Sequence, residues 1–311
     1  SQCQDHIHNL VIAIHNYESN FKRIPPGYVV QNGNATGNPP PPNGTLDTRG
    51  NWSWTAMILR EIEQKPLYDA LQVGTLTVDQ AWSVGTNANG MRTPIDVLNC
   101  PSDPGDDLSA IGRRQILFST TGNPGALTGE QQLMKVNYVA ANDDGSNNAA
   151  TSPGFTGTRK NNTADGSFYA NSNTRFADVI DGTSNCIWLG ERASRVRGVD
   201  LDAAVGLAVR GNIDMAITGA SPPETNNESL RYALFTALIG VSQGQINVTT
   251  PVDCVNPSTW APCKLALSSA HPGGVQVGLG DGKTTFISEN IDAFVYANLI
   301  RKADGNPVRV P

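Results

Sequence analysis

The first regular pattern along the chain is helical. Ile7, Leu10, Val11, Ile14 and Tyr17 recur at steps of three and four, which places them on one face of a helix over residues 4–19. Pro25, Pro26 and Gly27 lie just beyond its end, where helices stop. An amphipathic helix must bury its stripe, so Ile7, Leu10, Val11 and Ile14 are expected to face a sheet. Residues 28–50 lose all periodicity and fill with Pro, Gly and Asn, as a surface loop does. A second helical segment is predicted over 54–63, then a break at Pro66, then 67–71.

Past that point the pattern shortens to the scale of strands. Apolar runs at 135–141, 185–191 and 204–210 are each bounded by Gly, Asn or Asp. Near the end, 273–280 and 283–288 alternate on either side of Gly280-Asp281-Gly282, a strong hairpin signal. A terminal helix over 292–302 would present Phe294, Val295, Leu299 and Ile300. The predicted class is α+β: an N-terminal amphipathic helix packed on an antiparallel β-sheet, with large loop and β insertions and a C-terminal hairpin plus helix.

Composition sharpens this picture. Only 16% of the 311 residues are charged, while 31 Gly and 20 Pro point to many turns, the profile of an extracellular β-rich domain. A net charge of −6 with scattered basic residues leaves no footprint for nucleic acid. No stretch approaches the roughly 18 consecutive apolar residues that span a bilayer. The chain opens at Ser1 inside a helical pattern, so an upstream segment is expected to have been cut away.

Five cysteines occur without a CxxC pair, which excludes a zinc ribbon by spacing. Cys254 and Cys263 enclose a short Pro-containing loop that suits a disulfide, worth roughly 2–3 kcal/mol on the chain-entropy model. The alternative there is two unpaired thiols. Cys186, inside an apolar run, reads as a small buried hydrophobe.

Candidate chemistry is sparse. His271 and Asp281 would sit at opposite ends of one strand, roughly 25–30 Å apart at about 3.3 Å per residue, too far for a proton relay. His8 and His15 share a helix face but lie about 10 Å apart along the axis, too far for one metal. With His6 they read as solvated or partner-facing. Glu191-Arg192 reads as an ion pair at a strand end. HExxH, GxGxxG and Walker motifs are all missing, and no enzyme is predicted. Asp143, Asp144 and Asn147 offer oxygen ligands around a Gly turn and could hold calcium, although an EF-hand spacing is not met and an Asx-rich turn explains the same residues.

Six separated segments carry a family resemblance, in order. They are SQCQDHIHNLVIAIHNYESNFKRIPPGY at 1–28, WSWTAMILREIEQKPLYDAL at 52–71, LNCPSDP at 98–104 and NYVAAND at 137–143. FADVIDGTSNCIWLGER at 176–192 and HPGGVQVGLGDGKTTFISENID at 271–292 complete the set, the last with His271 nine residues ahead of Asp281-Gly282. Together they resemble the bacterial prepilin-like, pseudopilin-like family of domain-of-unknown-function number 1559, with its C-terminal H-x9-D-G motif. Two departures stand out: Cys186 occupies a position where the family more often has Thr, and 193–265 matches none of its motifs.

The resemblance implies one extracytoplasmic pilin-like domain over 1–311. Residues 1–24 would form the lower half of a long pilin helix, and 193–265 a variable insertion. It implies a structural subunit of a type IV pilus-like or type II secretion-like system in the bacterial cell envelope, periplasmic or on the cell surface. Its partners would be other pilin-like subunits, met through the N-terminal helix, and the membrane, met through a missing upstream apolar segment. Calcium holds a loop in some pseudopilins, which bears on Asp143, Asp144 and Asn147. A Cys3–Cys100 disulfide is expected, since both residues lie in matched segments and an oxidising envelope permits pairing. The rival from another class is an extracellular glycan- or solute-binding module using Trp52, Trp54, Trp82, Trp188 or Trp260 as stacking platforms. Of these, Trp82 and Trp260 are the realistic surface aromatics.

Overall fold

A computed structural model describes residues 1–29, 52–109, 116–119, 127–144, 164–169, 171–201, 203–209, 233–237, 246–249 and 265–308. The predicted first helix is present and longer than its apolar stripe, α1 running Gln2–Phe21. It ends where Lys22 turns left-handed (φ 59°) and its N–H bonds back to the Glu18 carbonyl. Ile7, Leu10, Val11 and Ile14 are all fully enclosed.

Short helices follow: α2 (Trp54–Met57), a 3₁₀ turn (Leu59–Ile62), α3 (Lys65–Leu71), α4 (Val78–Ser83) and α5 (Asn87–Arg92). The segment expected over 54–63 is thus two pieces, and Ile58 between them leaves helical geometry. The terminal helix α6 (Ala293–Ile300) starts at Asp292, whose carboxylate accepts from the Phe294 and Val295 amides. Its buried side chains are Tyr296, Ala297, Leu299 and Ile300. Phe294, expected to pack, is 69% exposed, because it falls in the first turn beyond the helix face that meets the sheet.

The strands are β1 (Ile116–Ser119), β2 (Leu127–Gln131), β3 (Lys135–Val136), β4 (Tyr138–Asp143), β5 (Ile187–Glu191), β6 (Arg195–Val196), β7 (Val199–Asp200), β8 (Ala204–Val205), β9 (Leu234–Thr236), β10 (Gly274–Leu279) and β11 (Thr284–Ser288). Five of them form the central sheet in the order β11-β10-β5-β4-β9. Pairing is antiparallel except at the edge, where β9 runs parallel to β4. The sheet is therefore mixed rather than wholly antiparallel. Part of 193–265 also joins it, since β9 is an edge strand of the core sheet.

Among its described residues, 204–209, the run at 204–210 forms only the two-residue β8, paired with β3 outside the main sheet. Ala203 (φ 45°) and Leu207 (φ 69°) are both left-handed, so the backbone cannot stay extended through that run. The hairpin is as expected, with Gly274 opposite Ser288 and Gly278 opposite Thr284. Its loop is three residues, Gly280-Asp281-Gly282, closed by the Leu279 amide on the Lys283 carbonyl. Only Gly282 takes positive φ, at 91°, as the glycine of a three-residue loop does.

α1 lies across β10, β5 and β11. Gly278 makes this approach possible: a Cβ there would stand 2.6 Å from Ile7 Cγ2 and 2.9 Å from Val11 Cγ2. Trp52, Trp54 and Trp188 are fully buried, and Trp82 packs half-buried against the same core. The three enclosed indoles cannot stack on a sugar; Trp260 lies outside the described residues.

Candidate functional site

Several polar residues of the matched segments gather along α1. Cys3, in its first turn, is joined to Cys100 by a disulfide with Cα atoms 4.9 Å apart. The Cys3 carbonyl also accepts the Tyr138 hydroxyl at 3.3 Å. His6 Nδ1 donates to the Asn99 carbonyl at 2.8 Å, beside the bridge. Two residues on, His8 Nδ1 donates to the Gly282 carbonyl at 2.7 Å. Two turns later, His15 Nε2 donates to the Gly280 carbonyl at 2.7 Å while its ring rests near Trp188 and Phe176. These three histidines are not merely solvated, as the sequence suggested. Each supplies an N–H to a backbone carbonyl that only the tertiary fold brings within reach.

The two ends of the H-x9-D-G motif do different jobs. His271 precedes β10 and points at Glu191, Nε2 to Oε1 3.4 Å. Asp281 follows β10 and accepts the Lys283 amide at 2.9 Å, which is turn chemistry. The two side chains hold different partners, so the motif is not a dyad. Between them the strand runs under α1, and the Gly280–Gly282 loop is pinned by His8 and His15.

Glu191 and Arg192 do not pair with each other. Alternation along an extended chain sends them to opposite faces. Glu191 faces the bridge, 3.7 Å from Cys100 Sγ, with Oε2 accepting the Gln276 amide at 2.8 Å. His271 Nε2 lies 3.8 Å from the same sulfur. Burial pushes the Glu191 pKa up, against the opposing pull of the Gln276 amide, the Ser269 hydroxyl and the His271 charge. Arg192, fully enclosed, donates to the carbonyls of Leu234 (2.7 Å), Leu265 (3.0 Å) and Ala266 (3.3 Å). It is a brace for irregular backbone, a role invisible in the dipeptide.

A second polar knot adjoins the first. Asp103, the carboxylate of LNCPSDP, accepts from Lys135 Nζ (2.8 Å), Asn137 Nδ2 (2.9 Å) and the Ser194 hydroxyl (2.6 Å) on Oδ2. Its Oδ1 accepts the Ser194 amide at 2.8 Å. Burial alone would raise its pKa, but the hydrogen bonds from Lys135, Ser194 and Asn137 outweigh it and hold the carboxyl below the ordinary value. Sequence reading passed over Asp103; a carboxylate three residues from a cysteine in a Pro-bracketed loop was the available signal.

Of the residues considered for calcium, Asp143 and Asp144 gather with Asp165, and Asn147 lies outside the described residues. The Arg301 guanidinium pairs with Asp144, and Lys302 Nζ caps the Ala164 and Gly166 carbonyls at 2.6 and 2.7 Å. Protein cations thus already sit against this acidic group. Cys254 and Cys263 also lie outside the described residues. Cys186 is buried, and its thiol donates to the Arg301 carbonyl at 3.2 Å.

A shallow groove of about 440 Å³ runs between α3 and the 93–97 segment, lined by Leu67, Pro94, Ile95 and Val97 with Glu63 and Asp96 at its sides. The H-x9-D-G residues lie elsewhere. Among the described residues no helix is long and apolar enough to cross a membrane. A family model described as a protein of unknown function, DUF1559, matches residues 1–293. No curated protein and no solved structure matches the chain.

Proposed function

The chain belongs to the DUF1559 family, and from that premise we propose that it is a structural, pseudopilin-like subunit of a bacterial envelope assembly, not an enzyme. The observation that carries this reading is where the motif residues are spent. Cys3, His6, His8, His15, Cys100 and Gly278 all serve to fix α1 to the 98–104 loop and the β10–β11 hairpin. A helix fastened this thoroughly, by a covalent bridge at its start and two side-chain clasps further along, is a rod held in fixed register with its globular body.

The opposite face stays open. Asp5, Asn9, Ile12 and Asn16 are exposed at helical spacing, with Ile12 40% exposed. In this reading that face meets the helices of other pilin-like subunits. An apolar segment ahead of Ser1, of the kind the family resemblance implies, would anchor the subunit before assembly. The Cys3–Cys100 bridge supports an oxidising, extracytoplasmic setting.

The test is site-specific photo-cross-linking in the native cell envelope. A cross-linker replacing Asn9 or Asn16 should capture other pilin-like chains, while one replacing Ile180, 73% exposed and remote in sequence, should not. Equal capture from both positions, or none from α1, overturns the proposal.

A further inference from the structure

Four ligand-bearing side chains from four distant parts of the chain meet at one point. Cys3 Sγ, Cys100 Sγ, a Glu191 carboxylate oxygen and a His271 ring nitrogen all lie within 4.8 Å of one another. In the oxidised chain the two sulfurs are spent on each other. We propose that reducing this bridge converts the cluster into a four-ligand zinc site, bound by Cys3 Sγ, Cys100 Sγ, Glu191 Oε1 and His271 Nε2.

The spacing argues for it. Zinc–ligand bonds of about 2.3 Å to sulfur and about 2.0–2.1 Å to nitrogen or oxygen put the corners of a tetrahedron about 3.3–3.8 Å apart. The separations already present are 3.4 Å from His271 Nε2 to Glu191 Oε1, 3.7 Å from Cys100 Sγ to that oxygen and 3.8 Å from Cys100 Sγ to His271 Nε2. The sulfur–sulfur separation must open, from a bond to about 3.8 Å, while Cys3 Sγ, within 4.8 Å of the Glu191 and His271 ligand atoms, settles into the same range.

The surroundings suit a closed structural site. Glu191 Oε2 is held by the Gln276 amide, which orients Oε1 toward the sulfurs. Cys3 lies in the first turn of α1, where the helix N-terminus favours a thiolate. His271 is intermediate in exposure while Cys3, Cys100 and Glu191 are buried, so reductant and metal would enter past the imidazole.

The chemistry balances with a dithiol as reductant. Its sulfurs take each other as a cyclic disulfide, and its two electrons and two protons pass to Cys3 and Cys100 as the S–S bond breaks. Zn²⁺ then displaces both thiol protons to solvent and accepts lone pairs from two thiolates, neutral His271 and the Glu191 carboxylate. The α1–loop tie passes from a covalent bridge to a metal without moving either element far. This inference stands apart from the assembly role: it needs only the cluster, and cross-linking results leave it untouched.

The test uses the full 311-residue chain with Cys254→Ser and Cys263→Ser, so that those thiols contribute nothing. Reduced with a water-soluble phosphine, which ends as its oxide, the chain is titrated with Co²⁺ and then Zn²⁺. One equivalent of Co²⁺ should give tetrahedral d–d bands and a thiolate-to-cobalt charge-transfer band, both bleached by Zn²⁺. The oxidised chain should give neither. His271→Ala and Glu191→Gln should each weaken Co²⁺ binding by more than the roughly 10–100-fold that loss of an outer-shell partner costs. Far-UV circular dichroism follows the fold throughout. The proposal is overturned by a folded, reduced chain without the charge-transfer band, or by bands that both variants leave unchanged. It is equally overturned if reduction unfolds the chain and Zn²⁺ does not restore it.

Discussion

Replacing Asp103 with Asn swaps one oxygen for an NH₂ and changes little else in shape, yet the surroundings leave that NH₂ nowhere to go. Three donors converge on Oδ2, from Lys135, Asn137 and Ser194, and the Ser194 amide donates to Oδ1. An amide placed with its nitrogen at either position meets a donor head-on. The Lys135 ammonium would also lose its counter-charge while 7% exposed, against 2% for the carboxylate it faces. Removing one partner of a buried ion pair typically costs about 3–5 kcal/mol. Asp103→Asn should therefore lower stability by about that amount, read from urea unfolding by far-UV circular dichroism. Adding Lys135→Met should recover much of the loss, because the stranded charge is gone. The Asp103 carboxyl is held below its usual pKa, so its contribution is fully present above the unfolded-state value and fades as pH falls through the lower folded-state value. The gap between wild type and Asp103→Asn should accordingly narrow below about pH 4. A loss under about 1 kcal/mol at neutral pH would refute the reasoning, since it would mean that the knot is wet enough for water to replace the carboxylate.

Gly278→Val should destabilise by about 1–3 kcal/mol, measured by the shift in urea midpoint, because the new side chain drives into Ile7 and Val11; a neutral result would mean that α1 does not approach β10 so closely. Gly282→Val should cost about 1–2 kcal/mol or more by the same measurement, since Gly282 sits at φ 91° where a β-branched residue is strained. His15→Ala removes the N–H held by the Gly280 carbonyl and should lose about 0.5–1.5 kcal/mol in the same assay, plus packing on Trp188. Alkylation of the folded, unreduced chain should label none of Cys3, Cys100 and Cys186. The first two are bridged, and burial pushes the Cys186 thiol pKa up to about 12, so little reactive thiolate forms. Mass spectrometry finding label on Cys3 would sink the bridge.

What the sequence determined by itself is whatever is written in local periodicity. The stripe from Ile7 to Ile14 specified α1 and its buried face, because 3.6-residue spacing admits one buried side. The alternation around Gly280-Asp281-Gly282 specified the hairpin, because a turn of that length fixes register between its strands. The Cys3–Cys100 bridge was reached only through the family resemblance, since five cysteines leave the pairing open. The rest was decided by contacts between segments far apart in the chain. Nothing near Glu191 or Arg192 says that one faces a disulfide and the other three carbonyls; strand alternation separates them, and the packing around each face assigns the role. Nothing near His8 or His15 names the carbonyls they clasp, which arrive from residues 280 and 282. The parallel edge strand β9 was unreadable for the same reason, as parallel pairing has no local turn to announce it. The meeting of residues 3, 100, 191 and 271 exists only once α1, the 98–104 loop, β5 and the entry to β10 are packed together. Side-chain periodicity reports which way a residue faces, and only the closed chain sets what it faces.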